Sequence, residues 1–387
     1  MRDNEKGGDE NAQGPPREET MHHLTDRVRS LIRRTLATAA LGAGACALTL
    51  SGASADSYTL RIGAGHPNGP AVYVSMVADY FVPEVKRRVK EETEHEIEFV
   101  EGYGGAIAGV AETLESVQQG ILDIGAYCFC FEPAKLFLHN FPYYAPFGPQ
   151  DSAQALTATR KVYDQIPWLS EVFEKDYKQV LLGLSGWDNY HLGTKDPWKT
   201  VTDLKGYKIG GAGPNLPWLE YAGAIPVQST LPEGYLAMQT GVYNGWLMFP
   251  SAYLGFKYYE PSPYYTLIGF GAMAVNGLTM NTNSLARLPE DVQTIIREVG
   301  EGYEAASGAE LNRRQAAGLK GLEEKGAHIT KLPESARIEW ANALTGFPAR
   351  QAKDADERGM PGTEVMKAYL KAVTEAGYKW PVSYSLD

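Results

Sequence analysis

Beyond residue 55 the chain alternates short apolar segments, typical of strands, with longer segments of helical periodicity. Residues 58–63 alternate polar and apolar positions as a half-buried strand does. The first cycle then continues with predicted helices over residues 71–94 and 106–119 and predicted strands over residues 97–100 and 121–126. This βαβαβ order predicts a parallel sheet flanked by helices.

A second cycle of the same kind begins near residue 180. Its predicted strands cover residues 180–184, 207–209, 226–228 and 242–249, and its predicted helices cover residues 216–222 and 233–239. The tail differs, because Leu288-Pro289 begins a helical pattern that continues to about residue 324. Two α/β cycles followed by long helices predict two lobes with several chain crossings. We expect a ligand in the cleft between them, at the carboxyl ends of the strands.

The first 55 residues have the pattern of an extension and a signal peptide. Residues 1–20 are polar and charged, so they cannot bury a core. After Met21, arginines up to Arg34 precede an apolar run over residues 36–50, and Ala53-Ser54-Ala55 supplies a small-x-small cleavage site. We expect export to the periplasm with cleavage near Ala55, and Met21 is a candidate for the true start. The alternative is an uncleaved N-terminal anchor.

Charge and composition narrow the function classes. The 387-residue chain carries a net charge of −11, which argues against nucleic acid as a partner because phosphate binding needs a basic patch. No apolar run after residue 55 approaches the ~20 residues that span a bilayer. Cys128 and Cys130 lie two apart in a predicted strand, where a disulfide would be strained, so we expect buried free thiols.

Motifs of catalysis are absent from the sequence. It contains no HExxH, P-loop or GxSxG segment, and its histidines have no carboxylate at metal-ligand spacing. We therefore expect no catalytic residues, no metal and no cofactor. Aromatic residues are instead dense between Tyr243 and Phe270, with Trp187 and Trp218 in the same predicted lobe. Most of these rings are expected in the core, but rings at the cleft can stack on a planar ligand or hold a cation, at ~0.5–2 kcal/mol each.

Five segments occur in an order that is specific in combination. They are TDLKGYKI at 202–209, ESVQQGILDIG at 115–125, GAIPV at 223–227, EGYLAMQTGV at 233–242, and Met280-Asn281 followed by Leu288-Pro289. In sequence and order they resemble segments of the DctP family of TRAP transporter solute-binding proteins. The resemblance implies an α/β, two-lobed fold of the type II-like periplasmic-binding-protein kind, with long helices linking the lobes. It also implies a receptor that delivers a small organic acid to a small four-helix membrane subunit and a large permease.

The chain departs from this family at the residues that hold the acid. Many members bind the carboxylate with the arginine that ends a K-I-R segment, since a guanidinium offers a bidentate fork. Here Gly210 occupies that position, and Asn189 stands where a second arginine is frequent. Asn244-Gly245 is followed by Trp246, where the family has a small or amide residue. A simple C4-dicarboxylate is therefore a weaker expectation than an aromatic or larger hydroxy or keto acid.

Two ligand classes and one other function class remain open from the sequence. An acid would stack on tryptophan rings and place its carboxylate on backbone amides, His66 or Asn189, whereas a small amine would use the rings with Glu132 or Asp188 as counter-charge. A secreted enzyme is the alternative of another class, and a sensory role is a further possibility. The candidate solute-binding residues are His66, Tyr103, Phe129, Glu132, Trp187, Asn189, Gly210, Trp218, Trp246 and Asn276.

The order of predicted strands and helices, together with the family resemblance, predicts the domain organisation. Residues 1–55 are the extension and signal peptide, and residues 56–182 with 275–310 form the first lobe. Residues 183–274 form the second lobe, and residues 311–387 form a C-terminal helical segment that packs across both.

Overall fold

The computed structural model describes residues 56–386, and the predicted signal peptide and its cleavage site lie outside them. In chain order the strands are β1 (Ser57–Ala64), β2 (Glu96–Gly102), β3 (Ile124–Cys128), β4 (Gln179–Trp187), β5 (His191–Thr194), β6 (Lys208–Gly211), β7 (Ile225–Gln228), β8 (Gly245–Met248), β9 (Tyr264–Leu267), β10 (Met273–Asn281) and β11 (His328–Lys331).

Helices cover the sheets and form most of the C-terminal part. They are α1 (Val72–Met76), α2 (Val82–Glu92), α3 (Thr113–Gln118), α4 (Phe141–Tyr144), α5 (Ser152–Gln165), α6 (Trp168–Tyr177), α7 (Leu231–Gln239), α8 (Pro250–Gly255), α9 (Thr282–Ala286), α10 (Glu290–Glu324), α11 (Glu334–Ala343), α12 (Phe347–Glu357) and α13 (Gly362–Glu375). Short 3₁₀ segments include Phe129–Phe131 and Gly213–Leu219, and a π-helical turn at Val77–Phe81 joins α1 to α2.

The strands form two sheets, which confirms the α/β, two-lobed prediction. The first has the order β2-β1-β3-β10-β4 and the second the order β11-β9-β5-β8-β6-β7. In the first, β1 pairs in parallel with β2 and β3, whereas β10 is antiparallel to β3 and β4. In the second, β6 is parallel to β7 and β8, and β5 is antiparallel to β8 and β9. Both sheets are thus mixed, where the sequence predicted a parallel sheet.

The antiparallel strands arise where the chain crosses between the sheets. β4 runs out of the first sheet and leads within a few residues to β5 of the second, and β9 leads back to β10. Met273, at the start of β10, pairs with Trp187, at the end of β4. A strand that returns from the other lobe enters its sheet from the opposite direction. The two crossings therefore lie side by side and place Trp187 at the boundary between the lobes.

The 35-residue helix α10 packs against elements of both lobes. A Cβ added at Gly300 would lie 2.5 Å from the carbonyl oxygen of Leu182 in β4, and one at Gly318 would lie 2.7 Å from the backbone of Pro250 in α8. Glycine at these two positions lets the helix backbone touch both neighbours. None of the helices formed by residues 56–386 is long and apolar enough to cross a membrane.

The C-terminal segment contributes a strand as well as helices, since β11 pairs in parallel with β9 of the second sheet. The lobe boundaries predicted from the sequence stay a prediction.

Candidate functional site

A continuous group of aromatic side chains joins the two sheets at their strand ends. Trp187 ends β4 of the first sheet, and Phe249 directly follows β8 of the second. Their rings stack with centroids 4.9 Å apart and planes inclined by 21°. Both side chains are buried. We give the name interlobe column to the rings of Trp187 and Phe249 together with four more described next, those of Tyr190, Trp218, Phe270 and His66.

The interlobe column continues from Phe249 into the second lobe. Tyr190 packs edge-on against Phe249 at 5.1 Å and against Trp218 at 5.8 Å, and Trp218 stacks on Phe270 at 4.9 Å. The indole N–H of Trp218 donates to the carbonyl oxygen of Tyr143 at 2.9 Å. Trp218 is therefore positioned by its own hydrogen bond, and its ring is fully buried against its aromatic neighbours.

His66 begins the interlobe column on the first-lobe side. It follows β1 and lies edge-on to Trp187, with ring centroids 5.8 Å apart. Its Nδ1 lies 2.9 Å from the hydroxyl of Tyr73, while Nε2 is buried with no hydrogen-bond partner among the described residues. Burial lowers the pKa of His66 to about 4, because an imidazolium would lose its hydration. At neutral pH this imidazole is uncharged and has one free ring nitrogen.

Asn215 is a buried amide on the opposite side of the interface. It lies in the 3₁₀ segment Gly213–Leu219 that follows β6, and the residue is 0% exposed. Neither its Oδ1 nor its Nδ2 has a hydrogen-bond partner within residues 56–386. The sequence analysis missed this residue. The available signal was an amide two residues after the glycine-rich segment Gly210–Gly213 at a strand end.

Glycines bring Asn215 close to both β6 and the first lobe. A Cβ added at Gly211 would lie 2.9 Å from Oδ1 of Asn215, so the amide folds back over the end of β6. A Cβ at Gly213 would lie 3.6 Å from the carbonyl oxygen of Cys130, which belongs to the first lobe. Gly213 itself has a φ of 41°, in the left-handed region that favours glycine.

Gly210 and Trp246 pack against each other, next to α7. Within the described residues, the ring of Trp246 does not contact the interlobe column. The two residues are paired between β6 and β8. A Cβ at Gly210 would lie 2.3 Å from the indole ring of Trp246, and one at Gly234 would lie 2.8 Å from it. The same ring packs edge-on against Tyr243 and Tyr258. The ring of Trp246 thus fills the space that an arginine side chain at position 210 would need.

Asn189 and its neighbour Asp188 are engaged in internal hydrogen bonds. The Asn189 amide donates to Gln150 at 3.2 Å and accepts from the backbone of Gly271 at 2.9 Å. Asp188 accepts from the hydroxyl of Ser251 at 2.7 Å and from its backbone N–H at 3.2 Å. Burial raises the pKa of Asp188 to about 7. Both side chains hold the crossing from β4 to β5 in place.

The other predicted binding residues lie apart from the interlobe column or beside it. Phe129 packs against His139 and Phe173 in the first-lobe core, and the Tyr103 hydroxyl donates to Glu101 at 2.8 Å. Glu132 pairs with Lys135 at 3.2 Å, and burial raises its pKa to about 7. Asn276 donates to the carbonyl oxygen of Gly186 at 3.1 Å, next to Trp187, and its Oδ1 is free of any described partner.

The prediction of free thiols was wrong, because Cys128 and Cys130 are joined by a disulfide. The expected geometry assumed that both lie in one strand. Instead β3 ends at Cys128 and the chain turns into the 3₁₀ segment Phe129–Phe131, which brings the two Cα atoms to 5.1 Å. This separation is within the range that a disulfide spans. The indole N–H of Trp187 points to the sulfur of Cys128 at 3.5 Å, so the bridge adjoins the interlobe column.

Two α/β sheets joined by strand crossings, with buried aromatic and polar groups enclosed between them, define a two-lobed solute-binding protein. The family model for bacterial extracellular solute-binding protein, family 7 (DctP), matches residues 79–354. The chain belongs to this family, which confirms the resemblance found in the sequence. Its members bind solutes outside the cytoplasm and are receptors of TRAP transporters rather than enzymes, as predicted.

One relative in particular agrees with this assignment. A solute-binding protein of Sulfitobacter sp. (strain NAS-14.1) is 32% identical over 152 residues. That match covers 38% of this chain and 45% of the relative, so the chain spans less than half the length of that protein.

Two solved structures share the fold at low sequence identity. One is a marine metagenome TRAP solute-binding protein specific for aromatic acid ligands, in complex with 3-hydroxybenzoate (TM-score 0.74, 20% identity, 84% of this chain and 100% of that chain). The other is a TRAP solute-binding protein of Rhodoferax ferrireducens T118 in complex with copurified benzoate (TM-score 0.73, 21% identity, 82% of this chain and 98% of that chain).

Proposed function

We propose that this chain is the extracytoplasmic receptor of a TRAP transporter and encloses a small organic acid with a planar or aromatic body beside the interlobe column. The observation that carries the proposal is the column itself. Rings from both lobes, above all Trp187 and Phe249, meet at the ends of the strands, where α/β proteins bind their ligands. A flat solute next to these rings would gain apolar burial and stacking from both lobes.

The replacement at Gly210 supports an acid other than a C4-dicarboxylate. An arginine at this position would have to displace the Trp246 ring, which lies 2.3 Å from where even a Cβ would be. The solutes named for the two similar structures, benzoate and 3-hydroxybenzoate, are carboxylates on a single aromatic ring. They are consistent with a receptor that relies on rings and neutral hydrogen bonds.

An amine ligand has less support from the site. Asp188, one of its two candidate counter-charges, already accepts two hydrogen bonds from Ser251. Glu132, the other, is paired with Lys135. The hydrogen bonds of Asp188 are therefore occupied, and the ammonium of Lys135 already serves as the cation of Glu132, whose Oε1 is buried without a partner among the described residues.

Delivery of the solute would require membrane partners, which we propose to be the small four-helix subunit and the large permease of a TRAP complex. Export through the signal peptide, with cleavage near Ala55, is part of the same proposal. Both follow from family membership and from the pattern of residues 21–55.

A thermal-shift panel on purified residues 56–387 tests the ligand class. Aromatic acids, sugar acids, dicarboxylates and small amines are compared at equal concentration, and a ligand at 100 times its Kd stabilises by about 2.7 kcal/mol. We expect the largest shift from aromatic or larger hydroxy acids. Equal shifts with succinate or malate would contradict the specificity that we propose, a response to amines alone would contradict the acid, and chemical turnover of the solute would contradict the receptor.

A further inference from the structure

We propose that Asn215 binds the solute directly, and that the solute carries a hydrogen-bond donor, a hydroxyl or an N–H, beside its carboxylate. This rests on the proposed function, because it concerns the acid in the same cleft. The first observation is the state of the Asn215 amide. It is fully buried, and both its oxygen and its nitrogen are without a partner among residues 56–386.

A buried amide without hydrogen bonds is costly, because it loses its bonds to water without gaining others. Several other buried side chains leave one polar atom without a described partner, but among residues 56–386 only Asn215 leaves both, which singles it out as a ligand contact. Either orientation of the amide leaves a donor and an acceptor unsatisfied, since neither atom is paired among the described residues.

The chemistry of an amide determines what it can recognise. It presents an N–H₂ donor group and an acceptor oxygen side by side. A carboxylate is acceptor-only, so it satisfies the N–H₂ group of Asn215 and leaves the amide oxygen facing negative charge. A hydroxy acid or a lactam acid supplies both partners, because its carboxylate accepts and its neighbouring O–H or N–H donates. This is the ligand class that fits the amide.

His66 provides a second, independent polar contact on the first-lobe side. Its Nε2 is buried and unpartnered, and its ring lies 5.5 Å from that of Phe131. Phe131 adjoins Cys130, whose carbonyl oxygen faces Gly213 across the interface. A solute held by Asn215 and His66 therefore contacts both lobes, and neither contact brings a full positive charge.

Gly211 explains why the amide can adopt this position. A Cβ there would lie 2.9 Å from Oδ1 of Asn215, which is closer than a Cβ and an oxygen approach in folded proteins. The variant Gly211→Ala should displace the amide without removing it. It gives a second test that keeps Asn215 in place.

The experiment uses matched acids that differ by the donor. Thermal shift and isothermal titration compare mandelate with phenylacetate, lactate with propionate, and pyroglutamate with cyclopentanecarboxylate. For wild-type protein we expect the donor-bearing acid of at least one pair to bind about 10-fold more tightly. Asn215→Ala should remove that preference. Asn215→Ser, which keeps a shorter donor and acceptor, should retain part of it, and Gly211→Ala should weaken it.

Asn283→Ala is the matched control, because this asparagine is exposed at the start of α9. Melting of the unliganded variants shows whether each one folds, and Asn215→Ser remains informative where Asn215→Ala does not. The inference is overturned if paired acids bind equally, if Asn215→Ala keeps the preference, or if the panel acids fail while a dicarboxylate binds. Binding of amines alone, or of no acid, would instead overturn the proposed function.

Discussion

At the scale of single residues, Gly210 and Trp246 constrain each other. The sequence alone identified both, but as separate departures from the family pattern, because it could not show that the Trp246 ring fills the space above Gly210. We predict that Gly210→Ala destabilises the protein by ~1–3 kcal/mol through overpacking. In a Trp246→Ala background the same change should cost little.

Urea unfolding of the four proteins in this double-mutant cycle measures the coupling. We expect a coupling free energy of about 1 kcal/mol or more, as for residues in direct contact. Gly346→Ala is the control, since the nearest atom to a Cβ at that exposed glycine is the end of the Arg350 side chain, 3.6 Å away. Additive costs would show that the ring moves aside freely.

Asp188 predicts how stability depends on pH. Its pKa is raised by burial from the usual 3.8 to about 7, so the folded state holds a proton that the unfolded state releases. The bound proton on Asp188 therefore stabilises the folded state fully below pH ~4, and this stabilisation is lost as the pH rises to the folded pKa of about 7. Asp188→Asn should remove this loss while keeping partners for Ser251.

From pH 5 to pH 8, the unfolding free energy of the wild type should fall relative to that of Asp188→Asn. The change is expected to be roughly 2–3 kcal/mol, since about two pKa units lie between pH 5 and the folded pKa and each corresponds to ~1.4 kcal/mol. Asp176→Asn, at an exposed position of α6, serves as the control. Parallel pH profiles would mean that Asp188 titrates normally.

At the scale of elements, periodicity located the strands that alternate or stand beside glycine turns, among them β1, β2 and β4. It missed β10, because every residue of that strand is buried and the pattern has no polar side to reveal it. It also predicted a helix over residues 106–119, of which only α3 (Thr113–Gln118) is helical, because the turn that begins at Gly104 and Gly105 continues through the residues before α3. Burial on both faces and backbone conformation are set by tertiary structure.

The Cys128–Cys130 disulfide is an element-scale feature with a modest expected effect. The ring that it closes contains three residues, for which the loss of loop entropy corresponds to about 1–2 kcal/mol. We predict that the Cys128→Ala/Cys130→Ala double variant folds and melts only slightly earlier than wild type. Melting curves with and without a reducing agent, with mass spectrometry of the thiols, check this. Loss of folding in the variant would contradict it.

At the scale of the whole molecule, the receptor assignment was predictable from the sequence and the residues of the interlobe column only partly so. Ordered motifs spread over the chain are read from sequence directly. His66, Trp187 and Trp218 were selected from the sequence and lie in the interlobe column, and their role in binding stays a prediction. Phe249 and Asn215 were not selected, because contacts between rings and unpartnered amides depend on how the lobes meet. The same limit explains why Asn189, a candidate ligand contact in the sequence, lies in an internal hydrogen-bond network.

The stack of Trp187 on Phe249 predicts how lobe closure and binding are linked. If the lobes separate without solute, Phe249 becomes exposed and contributes little to unliganded stability. Phe249→Ala should then weaken the best acid about 10-fold or more, because each closure loses apolar burial and a stacked pair. The melting temperature without solute should change little, whereas truncating a permanent core phenylalanine costs ~3–5 kcal/mol.

Titration calorimetry and melting of the same variant separate these effects, and small-angle scattering with and without the acid measures closure. Leu236→Ala is the control, because this side chain of α7 is 62% exposed and lies outside the interlobe column. A large drop in melting temperature without solute, with unchanged affinity, would place Phe249 in a permanent core. In that case the rings would join the lobes rigidly, and the solute would have to enter without their separation.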